Sequence, residues 1–323
     1  MFDRWGLITS DHILYGADML PPIWPTAILS CALFIIYWIK QKRVFLYLLM
    51  LVAANILFVG DIKLTSSGRA KTSEHSTITV LAQNVQYYTN GLNKVFDTIL
   101  AIKPDIAILG ENSVSDSELV LIKKKDTSYA FYQSRRFGPA LFTRLPVLSC
   151  KEIEFPTYLT SLSGKNDLEK MDRNPRSTFL HAVINVYGTH INIIAVRFIA
   201  GRPKENTLRE NIRWGHYLIL EQIKERDFLV NYIGRLKGPI IFGGDLNATP
   251  TSKIIRPLRK ITSDVYLACN HIGIPTFKVG RPIQTRLDYL FCSKECIPLE
   301  AKVLNTIIAD HYPVWAKIGV PKW

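Results

Sequence analysis

The chain has 323 residues, 48% hydrophobic and 21% charged, with 18 Gly and 17 Pro, and a mean hydropathy of +0.10. That length holds one large domain or two small ones without a disulfide framework, and the composition excludes a disordered or collagen-like chain. A formal net charge of +13 points to anionic partners: nucleic acid, anionic lipid head groups or phosphorylated substrates.

The first feature along the chain is a pair of apolar runs without a charge, residues 23–39 and 44–60. Each has 17 residues, near the lower limit for a helix crossing about 30 Å of hydrocarbon. Trp24, Tyr37, Trp38 and Tyr47 stand toward the run ends, as interfacial aromatics do. A secretory signal has one apolar core after a basic segment, whereas here Asp3, Asp11 and Asp18 precede two runs. Residues 1–62 are therefore expected to be a membrane anchor of two transmembrane helices. The short loop between the runs is Lys40-Gln41-Lys42-Arg43, which the positive-inside rule places in the cytoplasm. The rest of the chain then faces the outside of the cell (inner) membrane, or the periplasm. Residues 63–76 are small and polar and read as a linker. Residues 77–323 read as a soluble domain, and from residue 75 onward 33 of the 40 Lys and Arg stand against 22 of the 27 Asp and Glu.

Within that domain, runs rich in Ile, Val, Leu and Phe, bounded by Gly, Pro, Asn or Asp, predict strands at 78–84, 106–109, 140–143, 179–186, 191–196, 240–243, 288–292 and 314–318. Helical periodicity predicts helices at 92–102, 115–125 and within 205–235. Tyr187-Gly188 marks a hairpin turn, and the order of elements suggests mixed sheets with helices on their outer faces. Cys150, Cys269, Cys292 and Cys296 form no zinc pattern. An external location would permit a disulfide such as Cys292–Cys296.

Five segments place an acid, an amide or an acid–histidine pair at a strand end: Asn84, Glu111, Asp245 with Asn247, Asp288, and Asp310 with His311. Each alone is an ordinary turn former. Together they suit a hard divalent cation, which takes a few oxygen ligands and leaves room for water and phosphate.

The segments LAQNV, GEN, FGPALFTRLPV, GGDLNATP, PTF followed by TRLDYLF, and ADHYPV resemble, in order and spacing, the endonuclease/exonuclease/phosphatase family. That family includes pancreatic-type deoxyribonucleases, abasic-site endonucleases, sphingomyelinases and inositol-phosphate phosphatases. The resemblance covers about residues 77–320, and the two preceding apolar runs look like its membrane-anchored bacterial members. It implies a four-layer α/β/β/α sandwich of two mixed β-sheets and metal-dependent phosphoester hydrolysis with Mg²⁺, or Mn²⁺ in its place. Carried over, Glu111 ligates the metal with Asn84 and Asp310 beside it. Asp245 orients or deprotonates the attacking water, Asn247 holds a phosphate oxygen, and His311, oriented by Asp288, contacts the scissile phosphate. Whether Asp245 or His311 takes the proton stays open. One position departs: where the family usually has a histidine after a strand, this chain has Arg197. His190 lies seven residues too early, and His181 reads as a strand residue. An arginine can clamp a phosphate bidentately but cannot readily protonate a leaving group.

Three functions follow. The first is a membrane-anchored phosphoesterase acting on a lipid-linked or small phosphorylated substrate. The second is a nuclease tracking DNA or RNA with Lys123–Lys125, Arg135, Arg136, Arg256, Arg259 and Lys260. The third is a catalytically weak binding protein that retains the fold.

Overall fold

The computed structural model describes residues 75–134, 138–156, 177–200, 208–270, 273–277, 285–306 and 309–322, with isolated positions before them. Apart from those isolated positions, the expected transmembrane hairpin lies outside the described residues, as does most of the expected linker. Among the described residues no helix is long and apolar enough to cross a membrane.

Among the described residues, twelve strands form two six-stranded sheets. The first, in the order β11-β12-β1-β2-β4-β3, joins β11 (Ile297–Val303), β12 (Val314–Pro321), β1 (His75–Asn84), β2 (Ile106–Gly110), β4 (Ala140–Thr143) and β3 (Ala130–Gln133). The second, in the order β5-β6-β7-β8-β10-β9, joins β5 (Val147–Glu154), β6 (Thr178–Val186), β7 (Thr189–Val196), β8 (Ile240–Asp245), β10 (Asp288–Cys292) and β9 (Ser263–Asp264). β1–β2 and β7–β8 are parallel, the other pairs antiparallel. These are the mixed sheets the sequence suggests.

Side-chain alternation stacks the sheets. Ile78, Val80, Ala82, Ile106 and Ile108 of the first share one buried layer with Leu180, Ala182, Ile193, Ala195, Ile241 and Leu290 of the second. The other faces are covered by helices. Leu81, Ala107, Leu109 and Phe142 pack with Val95, Phe96 and Ile99 of α1 (Leu92–Ile102) and Ile122 of α2 (Asp116–Lys125). Phe179, Ile194, Phe242 and Phe291 pack with Leu229 and Ile233 of α3 (Leu208–Ile233) and with Ile255 and Leu258 of α4 (Ile255–Ile261). The result is the four-layer sandwich, with a fifth helix, α5 (Val265–Asn270), whose Val265 and Tyr266 join the inter-sheet layer. Cys292 and Cys296 are buried free thiols in that layer, so the bridge does not form.

Local chemistry sets the boundaries. α1 stops at Lys103, in the left-handed region (φ 53°), before Pro104. α2 starts on a capping box in which the Ser115 Oγ accepts from the Glu118 N–H and the Glu118 carboxylate from the Ser115 N–H. Tyr187 (φ 49°) and Gly188 (φ 96°) make the two-residue turn between β6 and β7. The strands absent from the sequence reading are β3, β5, β9 and β11, the four edges of the two sheets. Edge strands bury one face or less and mix in polar residues, as in the β5 sequence VLSCKEIE, so they lack the apolar run by which inner strands are found.

Gly243 and Gly244 let β8 lie against both neighbours where the inner strands end. A Cβ on Gly244 would stand 2.1 Å from the Val196 carbonyl oxygen, and one on Gly243 2.2 Å from that of Tyr289. Gly244 also has φ +130°, which side chains rarely adopt. Gly244→Ala is expected to cost about 2–4 kcal/mol of stability in urea unfolding. A loss below about 0.5 kcal/mol would mean that this close approach does not constrain the fold.

Candidate active site

β1, β2, β7 and β8 all end at one pole of the sandwich, and β10 begins there: Asn84 is level with Gly110, and Asp288 is paired with Asp245. Asn84, Glu111, Arg197, Asp245, Asn247, Asp288, Asp310 and His311, the site residues expected from the sequence, lie at this pole. Asn84 donates from Nδ2 to Asp245 Oδ2 (2.8 Å) across the two sheets, and the Asn247 N–H donates to Asp245 Oδ1 (2.9 Å). His311 Nδ1 meets Asp288 Oδ2 at 2.7 Å, while its Nε2 faces Asp310 Oδ1 at 4.0 Å. Arg197, one residue past β7, donates from Nη2 to Glu111 Oε1 at 2.6 Å. Asn247 turns its Nδ2 to the Phe198 carbonyl (3.0 Å).

The backbone is unusual here. Gln86, Tyr87, Tyr88, Glu111 and Asn247 all have φ between 47° and 59°, and side-chain-bearing residues in the left-handed region tend to gather at functional sites. Each follows a strand end and turns the chain sharply, which leaves the side chains of Glu111 and Asn247 at the mouth of the sheets.

Electrostatics follows from burial. Asp245 and Asp288 are fully buried, and His311 is nearly so. Burial pushes the Asp245 carboxyl up; His311 and Arg197 act against it, and Asp288 with it. Burial likewise raises Asp310, as does the charge of Glu111, while His311 opposes. For His311 burial alone disfavours the cation, but Asp288, Asp245 and Asp310 outweigh it and push the imidazole up to about 9. Four carboxylates (Glu111, Asp245, Asp288, Asp310) thus face one guanidinium and one imidazolium, a formal charge of about −2 when all are ionised.

That imbalance fits a divalent cation, and so do the buried oxygens Asp288 Oδ1 and Asp310 Oδ1, which have no hydrogen-bond partner among the described residues. The atoms of Asp245, Asp288 and His311 lie within 4.8 Å of one another, yet an imidazole held as a cation on Asp288 is a poor ligand. Glu111 and Asp310, with the Asn84 amide, are the better hard-oxygen set.

The sequence reading missed the supports. Gln83 Nε2 bonds the carbonyls of both Asn84 and His311, and Thr276 Oγ1 accepts the N–H groups of Leu287 and Asp288 (3.0 Å each). The Phe277 ring lies 4.7 Å from that of His311. From α3, Gln222 Nε2 bonds the carbonyls of Ile199 and Asn247, and Glu225 Oε2 accepts the Ile199 N–H (2.8 Å). Such polar helix positions look like solvent-facing ones in sequence. His181 is a packed strand residue, bonded to Tyr232 and Asn192. The basic set is dispersed: Lys125 pairs with Asp97 and Arg259 with Asp264, Arg256 and Lys260 are exposed on α4, and Arg135 and Arg136 lie outside the described residues.

The sequence profile of the endonuclease/exonuclease/phosphatase family matches residues 81–311, a span that includes all these site residues. No curated protein matches the chain. Among solved structures, it is similar to an endonuclease/exonuclease/phosphatase from Beutenbergia cavernae DSM 12333, with TM-score 0.57 and 15% identity over 76% of this chain and 72% of that one. It is similar to an endonuclease/exonuclease/phosphatase from Bacteroides vulgatus, with TM-score 0.57 and 15% identity over 75% and 98%. D. rerio TDP2 complexed with single strand DNA product gives TM-score 0.55 and 15% identity over 75% and 99%. Identities this low bear on the fold alone.

Burial pushes the Glu225 carboxyl up to about 8, against the lowering hydrogen bonds from Ile199 and Ser177. A carboxyl that holds its proton more tightly when folded destabilises the fold as pH rises from its ordinary value of 4.5 toward about 8, by up to about 1.4 kcal/mol per pH unit. Glu225→Gln, which keeps the acceptor for Ile199, should therefore gain stability relative to wild type between pH 5 and pH 8 in urea unfolding. An unchanged difference across that range would contradict the buried placement.

Proposed function

We propose, for a chain that belongs to the endonuclease/exonuclease/phosphatase family, that it is a membrane-anchored, Mg²⁺-dependent phosphoesterase cleaving a small or lipid-linked phosphorylated substrate outside the cell membrane. Members of the family are metal-dependent phosphoester hydrolases, and this chain is one. The observation that carries the reading is the set of four carboxylates against two cations at one pole, with the buried Asp310 Oδ1 lacking a hydrogen-bond partner among the described residues.

Glu111, Asp310 and Asn84 would hold the cation, which when bound neutralises phosphate charge and makes water more acidic. Asp245 is held by Asn84 and Asn247, and it orients the attacking water or accepts its proton. His311, kept cationic by Asp288, donates to the scissile phosphate, where a fixed donor meets developing charge. Arg197 adds a guanidinium for the phosphate, and Asn247 an amide. With His311 committed to the scissile phosphate, and neither arginine nor amide able to protonate a leaving group, the best substrates are those whose leaving groups are already stable anions, such as pyrophosphates and aryl phosphates.

Support for a small or lipid-linked substrate over a polynucleotide comes from the dispersed basic set. Lys125 and Arg259 are engaged by acids, and Lys123–Lys125 end α2, whose start at Ser115 follows Glu111, so they stand about 15 Å further along that helix. The nucleic-acid alternative draws on the likeness to D. rerio TDP2, itself complexed with single strand DNA product. Anchoring is inferred from the two uncharged runs at 23–39 and 44–60. Asn84 and His75 lie at opposite ends of β1, about 30 Å apart. The 14 residues 61–74 could span about 45 Å when extended, enough for the site pole to reach a bilayer.

The full chain in detergent, with Mg²⁺ or Mn²⁺, should hydrolyse aryl phosphodiesters or lipid pyrophosphates faster than alkyl phosphates or DNA. Asp245→Asn and His311→Ala should each lower turnover by at least about 10²-fold. Preferred cleavage of DNA or RNA would favour the nuclease reading, and full activity in either variant would place the chemistry elsewhere. Release of the chain from membranes by alkaline carbonate would remove the anchor.

A further inference from the structure

Arg197 and Glu111 are the two site groups whose assigned tasks differ most, one toward phosphate and the other toward the cation, yet they are bonded to each other. The contact is 2.6 Å, and both side chains are largely buried, at 13% and 15% exposure, so water and salt screen it little. Arg197 is held in place at its backbone: the Phe198 N–H donates to the Asp245 carbonyl (3.1 Å) and the Ile199 N–H to Glu225. Its guanidinium is under-used, because the buried Nε has no hydrogen-bond partner among the described residues. A guanidinium offers five donors in a planar fork. One carboxylate oxygen takes a single Nη2 bond here, which leaves donors suited to phosphate oxygens.

We propose that Arg197 is a built-in counter-ion that competes with the divalent cation for Glu111 and passes to the substrate phosphate when the cation takes that carboxylate. The proposal rests on Glu111 being a metal ligand. An oxygen committed to a guanidinium at 2.6 Å is not free to bind a cation at full strength, so the apparent cation affinity is reduced by the fraction of time the ion pair is formed. The reverse also holds: a guanidinium engaged by Glu111 binds phosphate less well. Each ligand therefore removes the other's competitor, and linkage makes the gain equal in both directions. A neutral imidazole at this position would not compete in this way. The arginine thereby sets an order in which phosphate is held firmly only once the cation is present, a specificity device carried by one residue.

Calorimetry on the full chain in detergent tests this without turnover, using Mg²⁺ and inorganic phosphate as probes, each alone and in the presence of the other. In wild type each probe should tighten the other by about tenfold or more. Arg197→Met should bind Mg²⁺ alone about tenfold more tightly, with the mutual enhancement reduced toward unity. Arg197→Lys keeps the charge and loses the fork, so Mg²⁺ alone should bind as in wild type while phosphate in the presence of Mg²⁺ weakens. Glu111→Gln frees the guanidinium, so phosphate alone should bind more tightly than in wild type, and this gain should vanish in Glu111→Gln/Arg197→Met. Should Arg197→Met fail to fold by circular dichroism, Arg197→Lys and Glu111→Gln carry the same test. Unchanged Mg²⁺ binding in Glu111→Gln would overturn the ligand assignment and the proposal together. Weakened Mg²⁺ binding in Glu111→Gln, with no gain in Arg197→Met or no gain in phosphate affinity, would overturn the exchange alone.

Discussion

The hydrogen bond from Asn84 Nδ2 to Asp245 Oδ2, 2.8 Å long, joins the end of a strand in one sheet to the end of a strand in the other, and the geometry of the site depends on it. Neither sheet contains the site by itself. Asn84 ends a strand of the first sheet and Glu111, Asp310 and His311 flank its strands, while Asp245 and Asp288 are in strands of the second and Arg197 and Asn247 follow them. The two sets meet only because the aliphatic layer between the sheets fixes their separation and register. Near the rim that layer is thin, ending in Ala82, Ile108 and Ala195, and glycines 243 and 244 bring β8 close enough to its neighbours for polar side chains to take over. Packing thus positions the polar pole, and the polar pole in turn sets where packing can stop.

Burial is also what gives the pole its chemistry. Carboxylates withdrawn from water resist ionisation unless a cation is near, and the two fixed cations, Arg197 and His311, do not balance the four acids. Asp245 and Asp310 are accordingly pushed up, and His311 is held charged by the acids around it. A divalent cation relieves this frustration, and a phosphate dianion then meets a pole whose formal charge is about zero rather than about −2. The charge pattern therefore orders ligand binding before any bond is broken. The supports behind it, Gln83, Thr276, Gln222 and Glu225, bond mainly to backbone, so they aim side chains without adding competing ligands.

The inner strands were legible because burial on both faces leaves apolar runs bounded by polar stops, as at 240–243 and 288–292. The edge strands β3, β5, β9 and β11 were not, since a strand with one bonded neighbour needs no such run and β11 also carries Pro298 beside a register shift. The acids and amides of the site were readable as polar residues at strand ends, where neither burial nor turn formation accounts for all of them together. Their pairings were not readable. Nothing in the one-dimensional pattern shows that Arg197 meets Glu111, because the two lie 86 positions apart and are joined only by the crossing of two sheets. Glu225 and Gln222 sit in an amphipathic helix, where Glu and Gln read as solvent-facing until the loop they brace is placed.

The central claim is that this pole binds a divalent cation through Glu111 and Asp310 while His311 stays with Asp288. Anomalous diffraction from crystals of the protein containing Mn²⁺ measures this most directly. The account predicts a peak at coordination distance, about 2.0–2.3 Å, from carboxylate oxygens of Glu111 and Asp310, with the His311–Asp288 contact intact. A peak on His311 with Asp245 and Asp288, or none at this pole, would contradict it.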